Sequence, residues 1–148
     1  MPASYAHSML VETYLLLDDG DHRVLSQFGL NPTQFALLKL LDLHDGRRPI
    51  ELTSLLLLEK SSITRLIDRM EQEQLVQRVL DPDDRRAQRI ILTPAGLERR
   101  EQALAAHHQS LEQRLGHLSE DEQQALGSLL EKLCLQLRVP TAQPDPDE

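Results

Sequence analysis

Aromatic residues are scarce in this chain: tryptophan is absent, and 148 residues include two tyrosines and two phenylalanines. Leucine is abundant, so we expect a core of packed helices. One cysteine, Cys134, excludes an internal disulfide and points to a reducing, cytoplasmic setting. The sequence contains no run of about 18 apolar residues and no secretory signal pattern, so we predict no membrane segment and no export.

The net charge of −8 argues at first against a nucleic-acid partner. Its distribution weakens that objection. Residues 47–100 hold eleven Lys or Arg against nine Asp or Glu, a net of +2, whereas the rest holds five against fifteen, a net of −10. The acidic excess therefore lies outside the segment that could face phosphate, and DNA binding through a few cationic contacts stays open.

The apolar spacing predicts a mainly α fold with a small β-hairpin. Helices are expected over residues 5–28, 32–44, 52–58 and 62–74, then from Thr93-Pro94 and from Ser119 onward. Strands are expected at 76–80 and 90–92, joined by the turn-forming run Asp81-Pro82-Asp83-Asp84. Capping boxes are predicted at Asn31 with Gln34 and at Ser119 with Glu122. The pattern is therefore four helices, a hairpin and two long helices.

The two ends of the chain carry leucine stripes wider than one neighbouring helix would cover. We therefore expect residues 1–30 and 94–138 to form a helical dimerisation region, close in places to a seven-residue repeat. Residues 139–148 are rich in proline and acid, and we expect a disordered tail there. Residues 31–93 are left as the candidate DNA-binding region.

Within that region, the helix predicted over 62–74 turns Ile63, Leu66, Ile67 and Met70 inward. Its open face carries hydroxyl and cationic groups suited to a DNA groove, namely Ser61, Ser62, Thr64, Arg65 and Arg69. Asp68 shares this face, and we expect it to pair with an arginine. The alternative is an ordinary solvated helix face.

These motifs, taken in order, resemble the MarR (multiple antibiotic resistance regulator) family of bacterial transcription factors over about residues 5–138. The residues that carry the resemblance are Ile63-Thr64-Arg65, Asp68-Arg69-Met70-Glu71, Leu75-Val76, Arg78, Asp81-Pro82-Asp83-Asp84-Arg85-Arg86 and Leu92-Thr93-Pro94-Ala95-Gly96. The resemblance implies a winged helix-turn-helix with helical dimerisation arms. It also implies a homodimer on a pseudo-palindromic operator, repression, and release by a small aromatic or phenolic effector.

The resemblance further implies roles for single residues. Arg65 matches a position that contacts DNA, and Arg86, beside Arg85, matches the position that enters the minor groove. Asp84 is the candidate brace of the wing. The alternative from the residues alone is an ion-paired turn, in which Asp83 and Asp84 neutralise both arginines. Lesser candidates for phosphate contact are Lys60, Arg78 and Arg89.

Two positions depart from the family pattern, because Leu57 and Gln74 stand where glycine is common. Glycine is favoured there since the backbone often needs a positive φ. We therefore expect either strained residues or turns of a different construction.

Other functions find less support in the residues. No catalytic motif is apparent, so we predict neither an enzyme nor a cofactor. His44, His108 and Glu112 are weak metal candidates, and surface histidines are the favoured alternative. For Cys134 we favour packing over redox sensing. The rival functions are a helical protein-interaction module that has lost DNA binding, and a metal- or redox-responsive regulator.

Overall fold

A computed structural model describes residues 1–139, so the predicted acidic tail lies outside the described residues from position 140 onward. The elements in chain order are α1 (Pro2–Leu25), a single 3₁₀ turn (Ser26–Phe28), α2 (Pro32–Leu40), α3 (Pro49–Leu56), α4 (Lys60–Gln72), β1 (Val76–Leu80), β2 (Gln88–Leu92), α5 (Pro94–Leu115) and α6 (Glu120–Arg138). The predicted fold class, mainly α with one hairpin, is confirmed.

Local signals place most helix starts. Proline occupies the first turn of α1, α2 and α3, where its missing N–H is harmless. Both predicted capping boxes are present: Asn31 with Gln34 begins α2, and Ser119 with Glu122 begins α6. α3 begins at Pro49, three residues before the predicted start, and α1 runs without a break through Gly20.

The hairpin is an antiparallel pair with Val76 opposite Leu92 and Leu80 opposite Gln88. β2 begins two residues earlier than predicted, at Gln88. Arg47 extends this small sheet, because its backbone N–H donates to the Ile90 carbonyl at 3.0 Å and its carbonyl accepts from the Ile90 N–H at 2.8 Å. The segment before α3 is thereby attached to the hairpin.

Aliphatic side chains form most of the core, as the scarcity of aromatic residues predicts, and Phe35 is buried among them. α4 contributes Ile63, Ile67 and Met70, which are buried at the predicted helical spacing. The remaining fully buried large side chains are Leu25, Leu37, Leu38, Leu52, Leu75, Val76, Ile90 and Leu92. The core therefore holds α4 and the hairpin against α2 and α3.

The chain divides into two units, residues 1–109 and residues 110 onward. In the first unit, α1 exposes apolar side chains along most of its length, including Tyr5, Val11, Tyr14, Leu15 and Leu16. In the second unit, α6 exposes Leu126, Leu129, Leu133, Leu135 and Leu137. No helix within residues 1–139 is both long enough and apolar enough to cross a membrane.

Candidate nucleic-acid interface

The outer face of α4 is polar and open to solvent, as predicted. Ser61, Thr64, Arg65 and Arg69 are exposed and Ser62 is half-buried. Lys60, Ser61, Thr64 and Arg65 line one shallow depression at the start of the helix. The Thr64 hydroxyl donates to the Lys60 carbonyl at 3.0 Å, which orients it along the helix. Hydroxyls and cations are thereby collected at the N-terminal end of α4.

The start of α4 differs from the starts of α2 and α6. Its N-cap residue, Glu59, makes no side-chain hydrogen bond to the first turn, and that turn contains no acidic residue. The first N–H groups of a helix lack partners within the helix and carry a partial positive charge. They are therefore available to water or to an anion such as phosphate.

Arg78 on β1 joins the hairpin to α4. Its guanidinium donates to Asp68 Oδ1 at 2.6 Å and to Glu71 Oε1 at 2.6 Å. Burial alone would lower the pKa of Arg78, but the hydrogen bond to Asp68 and the charge of Glu71 outweigh burial and raise it. The expectation that Asp68 pairs with an arginine is confirmed, and Arg78 is engaged inside the protein.

The start of the hairpin loop is held by a buried carboxylate. Asp81 Oδ2 accepts hydrogen bonds from Arg48 Nε at 2.7 Å and from Arg89 Nε at 2.8 Å. Its Oδ1 accepts from the backbone N–H groups of Asp83 and Asp84 at 2.8 and 3.3 Å. The hydrogen bond from Arg48, followed by that from Arg89, holds the pKa of the Asp81 carboxyl well below its usual range. The hairpin is therefore tied to the start of α3.

The tip of the hairpin presents two exposed arginines. Asp84 Oδ1 accepts a hydrogen bond from the backbone N–H of Arg86 at 2.9 Å. Asp83 Oδ2 lies 3.9 Å from Arg89 Nη2. Within residues 1–139, neither Arg85 nor Arg86 has a side-chain ion pair. Asp83 and Asp84 therefore do not neutralise the two cations, which argues against the ion-paired turn considered above.

Sequence reasoning missed the residues that hold the start of the hairpin loop, Asp81 and Arg48. It proposed Asp84 as the brace, and the structure places Asp84 at the tip, bonded to backbone. An aspartate before proline at the end of a strand is a signal for an Asx turn, and this signal was available at Asp81. No local pattern indicates its partner Arg48, because the two residues are 33 positions apart.

Leu57 and Gln74 adopt the backbone conformation that glycine would supply. Leu57 has φ 54° and ψ 42°, and Gln74 has φ 60°. Gln74 is also held by tertiary structure, because its carbonyl accepts a hydrogen bond from Thr93 Oγ1 at 2.6 Å. Both turns are therefore built in the usual way, with strain at each residue.

The remaining candidates do not form a second site. Arg69 forms an ion pair with Glu73 at 3.2 Å, and Arg89 is engaged by Asp81. Across the described part of the chain, no three His, Cys, Asp or Glu side chains are grouped so that they could hold a metal ion, and this includes the group of His44, His108 and Glu112. Cys134 is exposed on α6 rather than packed as expected.

Comparison with known proteins agrees with this geometry. A family model described as "MarR family" matches residues 30–87. The transcriptional regulator MhqR of Bacillus subtilis is 30% identical over 128 residues, which cover 86% of this chain and 88% of MhqR. AbsC, a MarR family regulator from Streptomyces coelicolor, has a similar structure, with a TM-score of 0.82 and 27% identity over 91% of this chain and 93% of AbsC.

A mutant of MarR from Escherichia coli, solved in complex with operator DNA, matches with a TM-score of 0.76 and 28% identity over 90% of this chain and 94% of that one. Fold and site together define a DNA-binding transcriptional regulator of the winged helix-turn-helix class. The chain belongs to the MarR family, as its sequence motifs indicate.

Proposed function

We propose that the protein is a cytoplasmic, non-enzymatic repressor that binds a pseudo-palindromic operator as a homodimer. Each subunit places α4 in a major groove and the hairpin tip in the adjacent minor groove. The observation that carries this proposal is a division among the arginines. Arg48, Arg78 and Arg89 are engaged by carboxylates. Arg65, Arg85 and Arg86 are exposed on the surface that would face DNA.

The hairpin suits a minor groove for a physical reason. A narrow minor groove has a strongly negative potential that attracts arginine, and a thin tip can enter it. Asp81 fixes the start of the hairpin loop through Arg48 and Arg89, so Arg85 and Arg86 are presented from a supported position. A supported cation loses less conformational freedom on binding than one on a mobile loop.

α4 suits a major groove, which is wide enough to admit a helix. Arg65 can donate to a guanine edge, whereas Thr64, Lys60 and the first N–H groups of α4 suit phosphate oxygens. Arg78 holds α4 at a fixed angle to the hairpin through Asp68 and Glu71. The two reading elements would thus approach neighbouring grooves as one rigid body.

Dimerisation through residues 1–30 and 94–138 is the second part of the proposal, and it leaves residues 31–93 as the DNA-binding region. The apolar side chains that α1 and α6 each expose need a cover, and a second copy supplies one. A two-fold homodimer presents two copies of α4, so we propose half-sites about one helical turn apart. We propose that this operator overlaps a promoter, so that the bound dimer blocks polymerase.

The third part concerns an effector. A cleft of about 470 Å³ is lined by α1, α2 and the end of α3, through Tyr14, Leu17, Asp18, Asp21, Pro32, Thr33, Ala36, Leu56 and Leu58. Its apolar walls and Tyr14 suit a small aromatic molecule. The carboxylate of Asp18 can accept a hydrogen bond from a phenol but would repel an aromatic acid. We therefore propose a neutral phenol as the effector.

The test begins with selection of bound fragments from a genomic DNA pool, followed by salt titration of binding to the selected operator. Affinity should fall linearly on logarithmic axes, with a slope of about −0.9 for each phosphate neutralised. Arg86→Ala and Arg65→Ala should each weaken binding by about tenfold or more. Arg23→Ala is the matched control, because Arg23 is an exposed arginine on α1 and is paired with Asp19.

Binding that ignores salt, or equal affinities for Arg86→Ala and Arg23→Ala, would overturn the proposal and favour a protein-interaction module. The effector is tested separately, by measuring release of the operator with phenol and with benzoate. Release by benzoate, or release that Asp18→Leu leaves unchanged, would contradict the assignment of the cleft.

A further inference from the structure

Two neighbouring arginines on α5 bind backbone carbonyls of earlier elements, and the second of them, Arg100, reaches the DNA-binding region. Arg99 Nη1 donates to the Phe28 carbonyl at 2.9 Å. Arg100 Nη1 donates to the Leu41 carbonyl at 2.7 Å and lies 3.5 Å from the Leu38 carbonyl. Leu41 is the C-cap residue that follows α2, so Arg100 lies at the C-terminal end of that helix.

The Arg100 contact is strong on physical grounds. The last carbonyl groups of a helix lack intrahelical partners and carry a partial negative charge, which favours a cation there. The side chain of Arg100 is 19% exposed, so water screens this interaction less than it would at the surface. Its planar guanidinium can also hold a fixed direction, unlike a lysine ammonium.

Closer to its start, α5 has a second anchor. Thr93 Oγ1 donates to the Gln74 carbonyl at 2.6 Å and accepts from the Gly96 N–H at 2.9 Å. Gly96 lies against the Leu75 carbonyl so closely that a Cβ there would overlap it. The contacts of Thr93 and Gly96 hold the start of α5 in place. Arg100, one turn further along, limits how far α5 can tilt about that start.

We infer that Arg100 is a positioning residue that determines which operator spacing the dimer accepts. This inference rests on the proposed function, in which α5 belongs to the dimerisation region and α4 to the reading region. From Pro94 to Gln109, α5 is about 24 Å long. From the pivot at Gly96 to Gln109 the arm is about 20 Å, so a tilt of about 10° moves its far end by about 3.4 Å, which is one base-pair step along DNA. Removing the Arg100 restraint therefore widens the range of spacings that two linked reading regions can meet.

The experiment uses the full chain and the operator selected with the wild-type protein. Its two half-sites are separated by the selected spacer and by spacers one base pair shorter and longer. The wild type should prefer the selected spacer by about tenfold or more. Arg100→Met keeps the aliphatic stem and removes the guanidinium, and its preference should fall to about threefold or less. Arg23→Met, on exposed α1, is the control and should keep the wild-type preference.

Two further readouts separate positioning from a merely structural role. Affinity for a single isolated half-site and the salt slope should be the same for Arg100→Met and the wild type, because the DNA contacts are unchanged. Unfolding temperatures confirm that the variants are folded. Should Arg100→Met fail to fold, Arg100→Lys retains the charge and loses the rigid fork, and its spacing preference should also broaden.

An unchanged spacing preference in the folded Arg100 variant would overturn the inference, with DNA binding itself intact. Absence of operator binding by the wild type is a different result, because it contradicts the proposed function on which the inference depends. The two failures are therefore distinguishable from the same set of titrations.

Discussion

Arg48 and Asp81 form an ion pair of 2.7 Å between residues that are 33 positions apart in the sequence. Arg48 is the N-cap residue of α3, and Asp81 follows the last residue of β1. Arg89 donates to the same carboxylate, and the three residues together help to hold the hairpin in one orientation relative to the helices.

Replacing Asp81 by asparagine should loosen the hairpin. The substitution keeps the size of the side chain but leaves Arg48 and Arg89 facing each other without a carboxylate between them. We expect a lower unfolding temperature, faster proteolysis at the hairpin tip and a loss of DNA affinity on the order of tenfold. Differential scanning calorimetry, limited trypsin digestion and operator titration measure these effects. Wild-type resistance to trypsin in this variant would show that Asp81 does not hold the hairpin.

The same pair predicts a pH dependence. Because the pKa of Asp81 is lower in the folded protein than its unfolded value of about 3.9, its contribution to stability is present above that value. The contribution is lost as the pH falls toward the folded-state pKa. The difference in unfolding free energy between the wild type and Asp81→Asn should therefore be constant from pH 5 to 7 and shrink below about pH 4. Asp42, whose pKa is also lowered by the Gly46 N–H, is common to both proteins and cancels. A difference that grows on acidification would contradict the prediction.

Glycine at position 57 or 74 should stabilise the protein. A non-glycine residue in the left-handed region costs about 1–2 kcal/mol, and glycine removes this strain at some cost in unfolded-state entropy. We expect each of Leu57→Gly and Gln74→Gly to raise the unfolding free energy by about 0.5–1 kcal/mol in urea denaturation. Ser54→Gly, at an exposed position inside α3, is the control and should lower it by about 0.5 kcal/mol. Equal effects at positions 54 and 57 would mean that the strain is relieved elsewhere.

Arg78 and Arg86 should differ in how salt affects DNA binding. Arg78 is engaged by Asp68 and Glu71, so Arg78→Ala should lower stability by about 1 kcal/mol and leave the salt slope unchanged. Arg86→Ala should leave stability unchanged and reduce the slope by about 1. Fluorescence anisotropy over a range of salt concentrations distinguishes them. A reduced slope in Arg78→Ala would place Arg78 among the DNA contacts.

Alanine at position 96 should be poorly tolerated, because its Cβ would overlap the Leu75 carbonyl. The start of α5 would have to shift from the hairpin, at a cost of about 1–3 kcal/mol or more. Gly127→Ala is the matched comparison, since a Cβ there meets nothing within 4 Å. It should stabilise α6 by about 0.5–1 kcal/mol. Thermal unfolding of the two variants tests both expectations. A Gly96→Ala protein as stable as the wild type would refute the prediction.

Local physics explains which features could be predicted from the sequence. The caps at Asn31 and Ser119 and the apolar spacing of α4 each involve residues within one or two helical turns of each other. Such local patterns can be recognised directly in the sequence. The exposed tip arginines could also be found, because a turn signal flanked by strands places them. The family resemblance supplied their roles.

Features that depend on distant residues could not be found in this way. Arg48 and Arg100 bind partners 33 and 59 residues away, and nothing near either residue indicates its partner. Leu57 shows a different limit. Leucine disfavours a positive φ, so its backbone propensity predicts the wrong conformation at this position. The chain must turn between α3 and α4, and this requirement outweighs the propensity of leucine.

The leucines that α6 exposes also have a consequence for regulation. If a second copy covers them, as we propose, folded stability follows mass action and rises with protein concentration. The number of molecules in the cell then sets the fraction of subunits able to occupy an operator. A small fall in synthesis would reduce occupancy more than proportionally, because the dimer population varies with the square of the free subunit concentration. Abundance would thus be a regulatory input alongside any ligand.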